Sequence, residues 1–234
     1  MQCQPGPAWI RHHAHGLTAG FGLSEKESYP YLLQEKLKAD GYDYEVVNAG
    51  VSGDTSLGGL ERADWVLEQD NAKILILELG ANDLLRGIPV SKMKSNLDRI
   101  IRKAKERNVE VLLCGMLAPP SMGAEYQREY TRAFPDLAAE HKVDFLPFLL
   151  ENVALNRELN QADGIHPNAA AQPIGLPLDD PPWLPTRQAS SIDRRMPTAA
   201  NGRIDYLFNI AGGGHPGFAV QVPAEHEPGV GDGG

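Results

Sequence analysis

Short apolar runs alternating with amphipathic segments predict an α/β fold, a parallel sheet covered by helices on both faces. Two observations carry that expectation. Ile74-Leu75-Ile76-Leu77-Glu78-Leu79 and Val109–Cys114 are nearly continuous apolar runs, the pattern of strands buried on both sides. Between them Met93, Leu97, Ile100, Ile101 and Ala104 recur at helical spacing, as a crossover helix over 91–107 requires.

The other elements follow in chain order. Residues 1–15 show no sustained period and read as an irregular N-terminus. His12, His13 and His15 lie close enough to suggest a metal, but no carboxylate or cysteine accompanies them, so a loose terminus is the better reading. Gly16 to Leu23 is a glycine-punctuated loop. Ser28 is placed to cap a helix with Pro30 in its first turn and Tyr31, Leu32, Leu33 and Leu37 as apolar positions, ending near Gly41. Tyr44–Val47 is a short strand that leads into the loop Asn48–Thr55. Leu57, Leu60, Ala63, Val66 and Leu67 mark the next helix. After the strand at 74–79 comes the loop Gly80-Ala81-Asn82-Asp83. A long helix is expected over about 123–140, a last short strand over 143–146, and a brief helical piece before Asp163. Asn168-Ala169-Ala170-Ala171 should open a closing helix.

Composition changes at about Gln172. Nine of 18 prolines and ten of 24 glycines fall in 172–234, whereas all nine lysines lie between 26 and 142. Pro177, Pro181, Pro182 and Pro185 exclude a helix there, and Gly212-Gly213-Gly214 adds to the bias. The expected division is an irregular N-terminus at 1–15, a folded domain at 16–171 and a Pro/Gly-rich, disordered tail at 172–234.

Charge and cysteine content limit the function classes. The 22 basic against 31 acidic residues give a formal net charge of −9, which argues against a nucleic-acid partner. Cys3 and Cys114 cannot make a disulfide framework, and Cys114 sits in an apolar run as a buried thiol. No apolar run approaches the ~20 residues of a membrane span. No signal-peptide pattern precedes the domain, which leaves localisation open.

In a sheet of this kind reactive groups collect at the carboxyl ends of strands. Gly53 follows the strand at 44–47 and can bring a backbone N–H close to a ligand. Asn82 follows the strand at 74–79 and offers a neutral side-chain donor. Asp163 stands three residues before His166, so in a loop its carboxylate can hold Nδ1–H and leave Nε2 as a general base. Each has an ordinary alternative: a turn, a loop cap, a surface histidine. Together they supply two neutral donors for an oxyanion and an oriented base, the requirements of acyl transfer.

These blocks resemble the SGNH (GDSL-type) hydrolases, near the bacterial thioesterase I, lysophospholipase and arylesterase group. Val47–Thr55 resembles the second family block, with Gly53 as the oxyanion glycine. Glu78–Asp83 resembles the third, with Asn82 as the oxyanion asparagine. Asp163-Gly164-Ile165-His166-Pro167 resembles the last, with the acid and the base. The resemblance implies a flavodoxin-like three-layer sandwich and hydrolysis of carboxylic esters or acyl thioesters by Ser-His-Asp chemistry without metal or cofactor. Its partner would be a small-molecule acyl ester or thioester, and relatives are usually periplasmic or secreted.

The first block departs from the family. Where the family has Gly-Asp-Ser-Leu-Thr-Ala-Gly, this chain has Ala14-His15-Gly16-Leu17-Thr18-Ala19-Gly20. Gly16 stands at the nucleophile position without a side chain, and Ser24, Ser28 and Ser52 are not obvious substitutes. The apolar strand that should precede the block is replaced by Trp9-Ile10-Arg11-His12-His13, and the closing helix is lost after about Ala171. Both ends depart abruptly around an intact middle, as a reading-frame change or a chimeric clone at each end of a hydrolase gene would leave them. The sequence therefore predicts the family fold with its first strand and closing helix degraded. Activity should be impaired, and a non-catalytic acyl- or ester-binding protein is the alternative.

Overall fold

A computed structural model of the chain describes residues 22–42, 44–68, 72–164 and 166–172, together with the backbone of 202–208. Helix α1 (Tyr29–Ala39) starts after Ser28 and carries Pro30 in its first turn, where a missing N–H costs nothing. Ser28 does not cap through its hydroxyl, which donates to Glu25 O at 2.6 Å instead. Strand β1 (Tyr44–Asn48) leads to α2 (Ser56–Leu67), whose N-cap is Thr55. Strand β2 (Ala72–Glu78) is followed by a short helix α3 (Ala81–Leu85) and by α4 (Val90–Glu106). Strand β3 (Glu110–Cys114), α5 (Ala124–His141) and β4 (Asp144–Leu146) complete the alternation.

Two expectations need correction. The brief helical piece before Asp163 is a run of turns, because Asn152 and Leu155 adopt φ of +64° and +66° and cannot continue a right-handed helix. The loop expected after β2 contains α3, too short a helix to show a period. The closing helix expected from Asn168 is entered through a turn at 169–171 and reaches helical backbone at Gln172, the last described residue before β5.

Of the segment read as a tail, residues Gly202–Phe208 form a fifth strand, β5; the rest lies outside the described residues, as does the N-terminal stretch 1–21 with Gly16. The sheet order is β1-β5-β2-β3-β4, with every pairing parallel. Read with β5 in the position of a first strand, this is the flavodoxin-like order. Apolar burial divides across the sheet. Leu75, Leu77, Val111 and Leu113 meet α2, α4 and α5 on one face, while Ile74, Ile76, Leu112 and Cys114 meet α1 and Leu149 on the other. Consecutive residues of β2 thus feed opposite layers, as the two-residue period of a strand demands. The result is a three-layer α/β sandwich, thinner on the α1 side among the described residues.

Glu78 ends β2 fully buried, and neither carboxylate oxygen has a hydrogen-bond partner among the described residues. Burial alone pushes its carboxyl well above the usual range, because a charge there would lose its hydration. The folded chain therefore holds this proton at a higher pH than the unfolded chain does. Its contribution to stability is complete below about pH 4.5 and is lost as pH rises toward the native value. Urea unfolding between pH 5 and 8 should show stability declining as pH rises. In Glu78→Gln that decline should flatten, and an unchanged slope would mean that Glu78 is ionised and paired.

Candidate active site

The loop after β4 is built to hold one imidazole. Gly164 N–H donates to Gln161 O at 2.9 Å and Gln161 N–H donates to His166 O at 2.7 Å, so 161–166 closes on itself. Gly164 takes φ of +70°, a left-handed conformation that glycine reaches without strain from a Cβ. Inside this turn the Asp163 carboxylate accepts twice from His166, from the backbone N–H at 3.0 Å and at Nδ1 at 2.6 Å. The imidazole is buried while Asp163 is partly open to solvent. The Asp163 contact at Nδ1 sets the orientation of the ring in the loop.

Gly53 and Asn82 are joined by a second set of contacts. Asn82, on α3 and 3% exposed, donates one amide hydrogen to Asp54 O at 2.9 Å. Arg86, at the end of the same helix, donates to Gly53 O at 2.5 Å. Gly53 has φ of +76°, so the loop turns there in a way most side chains resist. These contacts bring the loop after β1 to the helix after β2. Asp163 and His166 form the other pair on their own loop, and Gly16 lies outside the described residues.

Three supporting groups were not visible as a set in the sequence. The Asp83 carboxylate accepts from Ser56 N–H at 2.7 Å and Ser56 Oγ–H at 2.6 Å, both buried, and Asn96 Nδ2 donates to Ser56 Oγ at 3.0 Å. Burial raises the Asp83 carboxyl, and the two Ser56 donors pull it back. This carboxylate ties the start of α2 to α3 and so fixes where Asn82 stands. Arg62 pairs with Asp54 at 2.7 Å and donates to Ala49 O at 2.6 Å, bracing both ends of the loop that holds Gly53. The only sequence hint was opposite charges eight residues apart around a helix start.

Gly22 and the start of α1 also reach this region. A Cβ at Gly22 would come within 2.5 Å of Gln161 Oε1, placing Gly22 against the Asp163–His166 loop. Tyr29 N–H donates to Gln172 Oε1 at 3.2 Å, which ties the start of α1 to the far end of the domain.

Comparison with known proteins points one way. The profile of the GDSL-like Lipase/Acylhydrolase family matches residues 17–173. The chain is 41% identical to esterase TesA of Pseudomonas aeruginosa over 157 residues, 67% of this chain and 78% of that protein. It is 39% identical to thioesterase 1/protease 1/lysophospholipase L1 of Escherichia coli K12 over 158 residues, 68% of this chain and 74% of that one. The crystal structure of TesA superposes with a TM-score of 0.66 at 40% identity, covering 69% of this chain and 89% of that one.

If the Asp83–Ser56 contacts hold α2 to α3, Asp83→Ala should cost about 2–3 kcal/mol, since it strands two buried donors. A cycle with Ser56→Ala, followed by urea unfolding, should return a coupling of about 1–2 kcal/mol. Additive effects of the two substitutions would remove this link from the account.

Proposed function

The chain belongs to the GDSL-like lipase/acylhydrolase family, and on that premise we propose an ester or acyl-thioester hydrolase framework that lacks its serine. The observation that carries this reading is the double hydrogen bond from His166 to Asp163, which orients a base and fixes its tautomer. In the complete chemistry a serine hydroxyl gives its proton to the base and its oxygen attacks the acyl carbon. The oxyanion that forms is met by neutral donors, here Gly53 N–H and the Asn82 amide, with the Gly16 N–H as a third. The base then returns the proton to the leaving alcohol or thiol. Water, activated by the same nitrogen, releases the acid. No metal or cofactor enters this scheme.

Apolar side chains around these loops fit an acyl substrate. Val51, Leu85 and Leu117, in the segments that follow β1, β2 and β3, are 43%, 44% and 48% exposed. Exposed apolar residues near the same sheet end suit a chain of methylenes. The negative net charge gives a polyanionic partner no attraction.

Gly16 separates two readings of the same site. With glycine at the nucleophile position, His166 can only activate water, so hydrolysis should be strongly impaired. Alternatively the cleft holds an acyl group or ester without cleaving it, and Gly16 is the residue that favours this. A rise in melting temperature with a fatty acid is the expected sign of retained binding.

Turnover of a short p-nitrophenyl ester tests the proposal. Loss of a serine nucleophile costs on the order of 10⁶ in turnover in a well-studied serine protease, and we expect a similar deficit relative to an intact family member. Restoring Gly-Asp-Ser at 14–16 behind an apolar strand should recover hydrolysis, and His166→Ala in that background should abolish it. Turnover by the unaltered chain at ordinary rates of about 1–10³ s⁻¹ would mean that another residue attacks.

A further inference from the structure

The strand that lies between β1 and β2 comes from the end of the described chain. β5 pairs with β1 at five consecutive positions, from Tyr44↔Gly202 to Asn48↔Tyr206. On its other edge it pairs with β2 from Ala72↔Arg203 to Glu78↔Phe208, with a register shift between Ala72 and Ile74. Among the described residues β1 has no other strand partner in the sheet. Its far edge is closed by one side chain, since Gln34 donates to Tyr44 O at 2.9 Å and accepts from Val46 N–H at 2.7 Å. Among the described residues the outer edge of β1 is thus engaged by Gln34 and its inner edge by β5.

Between Gln172 and Gly202 runs a connection, 173–201, that at about 3.3–3.6 Å per residue reaches up to roughly 100 Å. That is far more than a crossing of one domain needs, so the connection does not force β5 into place; its pairing does. We infer that the gap between β1 and β2 is a strand-acceptor site and that segment 202–208 of the same chain is its ligand, inserted parallel and in cis. A parallel strand paired on both edges finds partners for the backbone groups that point to either side, and leaving the gap empty would strip partners from both neighbours. Seated there, the segment also sets the spacing between the strands that lead to Gly53 and Asn82. The inference does not depend on whether the chain hydrolyses esters.

Cross-linking the full-length chain tests it. With Cys3→Ser in place, the register partners Val46 and Ile204 are changed to Cys and oxidised with copper phenanthroline. A disulfide within one chain is expected, seen as a monomer of altered mobility on a non-reducing gel, whereas Glu45→Cys with Ile204→Cys should link far less. No link at 46/204 would overturn the pairing. A linked dimer would overturn insertion in cis and make a second copy the donor. In a separate full-length variant, a protease site is inserted within 180–195 and cut. The C-terminal fragment should stay with the body of the protein through gel filtration and leave only in denaturant. Separation of the fragment with an unchanged melting curve would overturn the inference.

Discussion

β1 and β2 lead to the loops of Gly53 and Asn82, yet these strands do not pair with each other; β5 lies between them. That one strand sets the geometry of everything at the carboxyl end of the sheet. A central parallel strand shares backbone hydrogen bonds with both neighbours, and its removal leaves two edges rather than one. α1 holds β1 from outside through Gln34, and α2 returns the chain over the sheet to β2. Both would lose their reference if the position between β1 and β2 were vacant. The sequence reading expected such a vacancy at the first-strand position, and the sheet instead carries a strand drawn from a segment with little apolar period.

Above this sheet the site is held by carboxylates that act on structure before chemistry. Asp83 gathers Ser56 and thereby joins α2 to α3. Asp54 pairs with Arg62 while its carbonyl accepts from Asn82. Asp163 takes both the backbone and ring N–H of His166. Each carboxylate accepts at least two charge-assisted hydrogen bonds or ion-pair contacts, or links two elements through separate groups, so that groups far apart in sequence acquire fixed relative positions. This is the preorganisation that the proposed oxyanion donors and base require. On the proposed assignment it stands beside a nucleophile position held by Gly16.

Much of this was legible from residue order. Alternating runs located β1 to β4 and their helices to within a residue or two, because buried parallel strands leave unbroken apolar runs and amphipathic helices leave a 3.6-residue period. The Asp163–His166 contact followed from a three-residue spacing across a glycine turn. What could not be read has physical reasons. α3 is five residues long and gives no period. The Ser56–Asp83 and Gly53–Arg86 contacts join residues 27 and 33 apart, and only the fold brings them together. β5 lies in a Pro/Gly-biased region, and its place depends on a gap elsewhere in the sheet, which its own composition does not describe.

The proposed framework, with base and donors but no serine nucleophile, should react differently from its relatives toward an electrophile that reports attack directly. The decisive measurement is intact-mass spectrometry of the folded full-length chain after treatment with excess alkyl fluorophosphonate, beside an active family esterase. The account predicts stoichiometric labelling of the esterase and no mass increase in this chain. A stoichiometric adduct here would contradict it, and the labelled residue would be the nucleophile that Gly16 is held to lack.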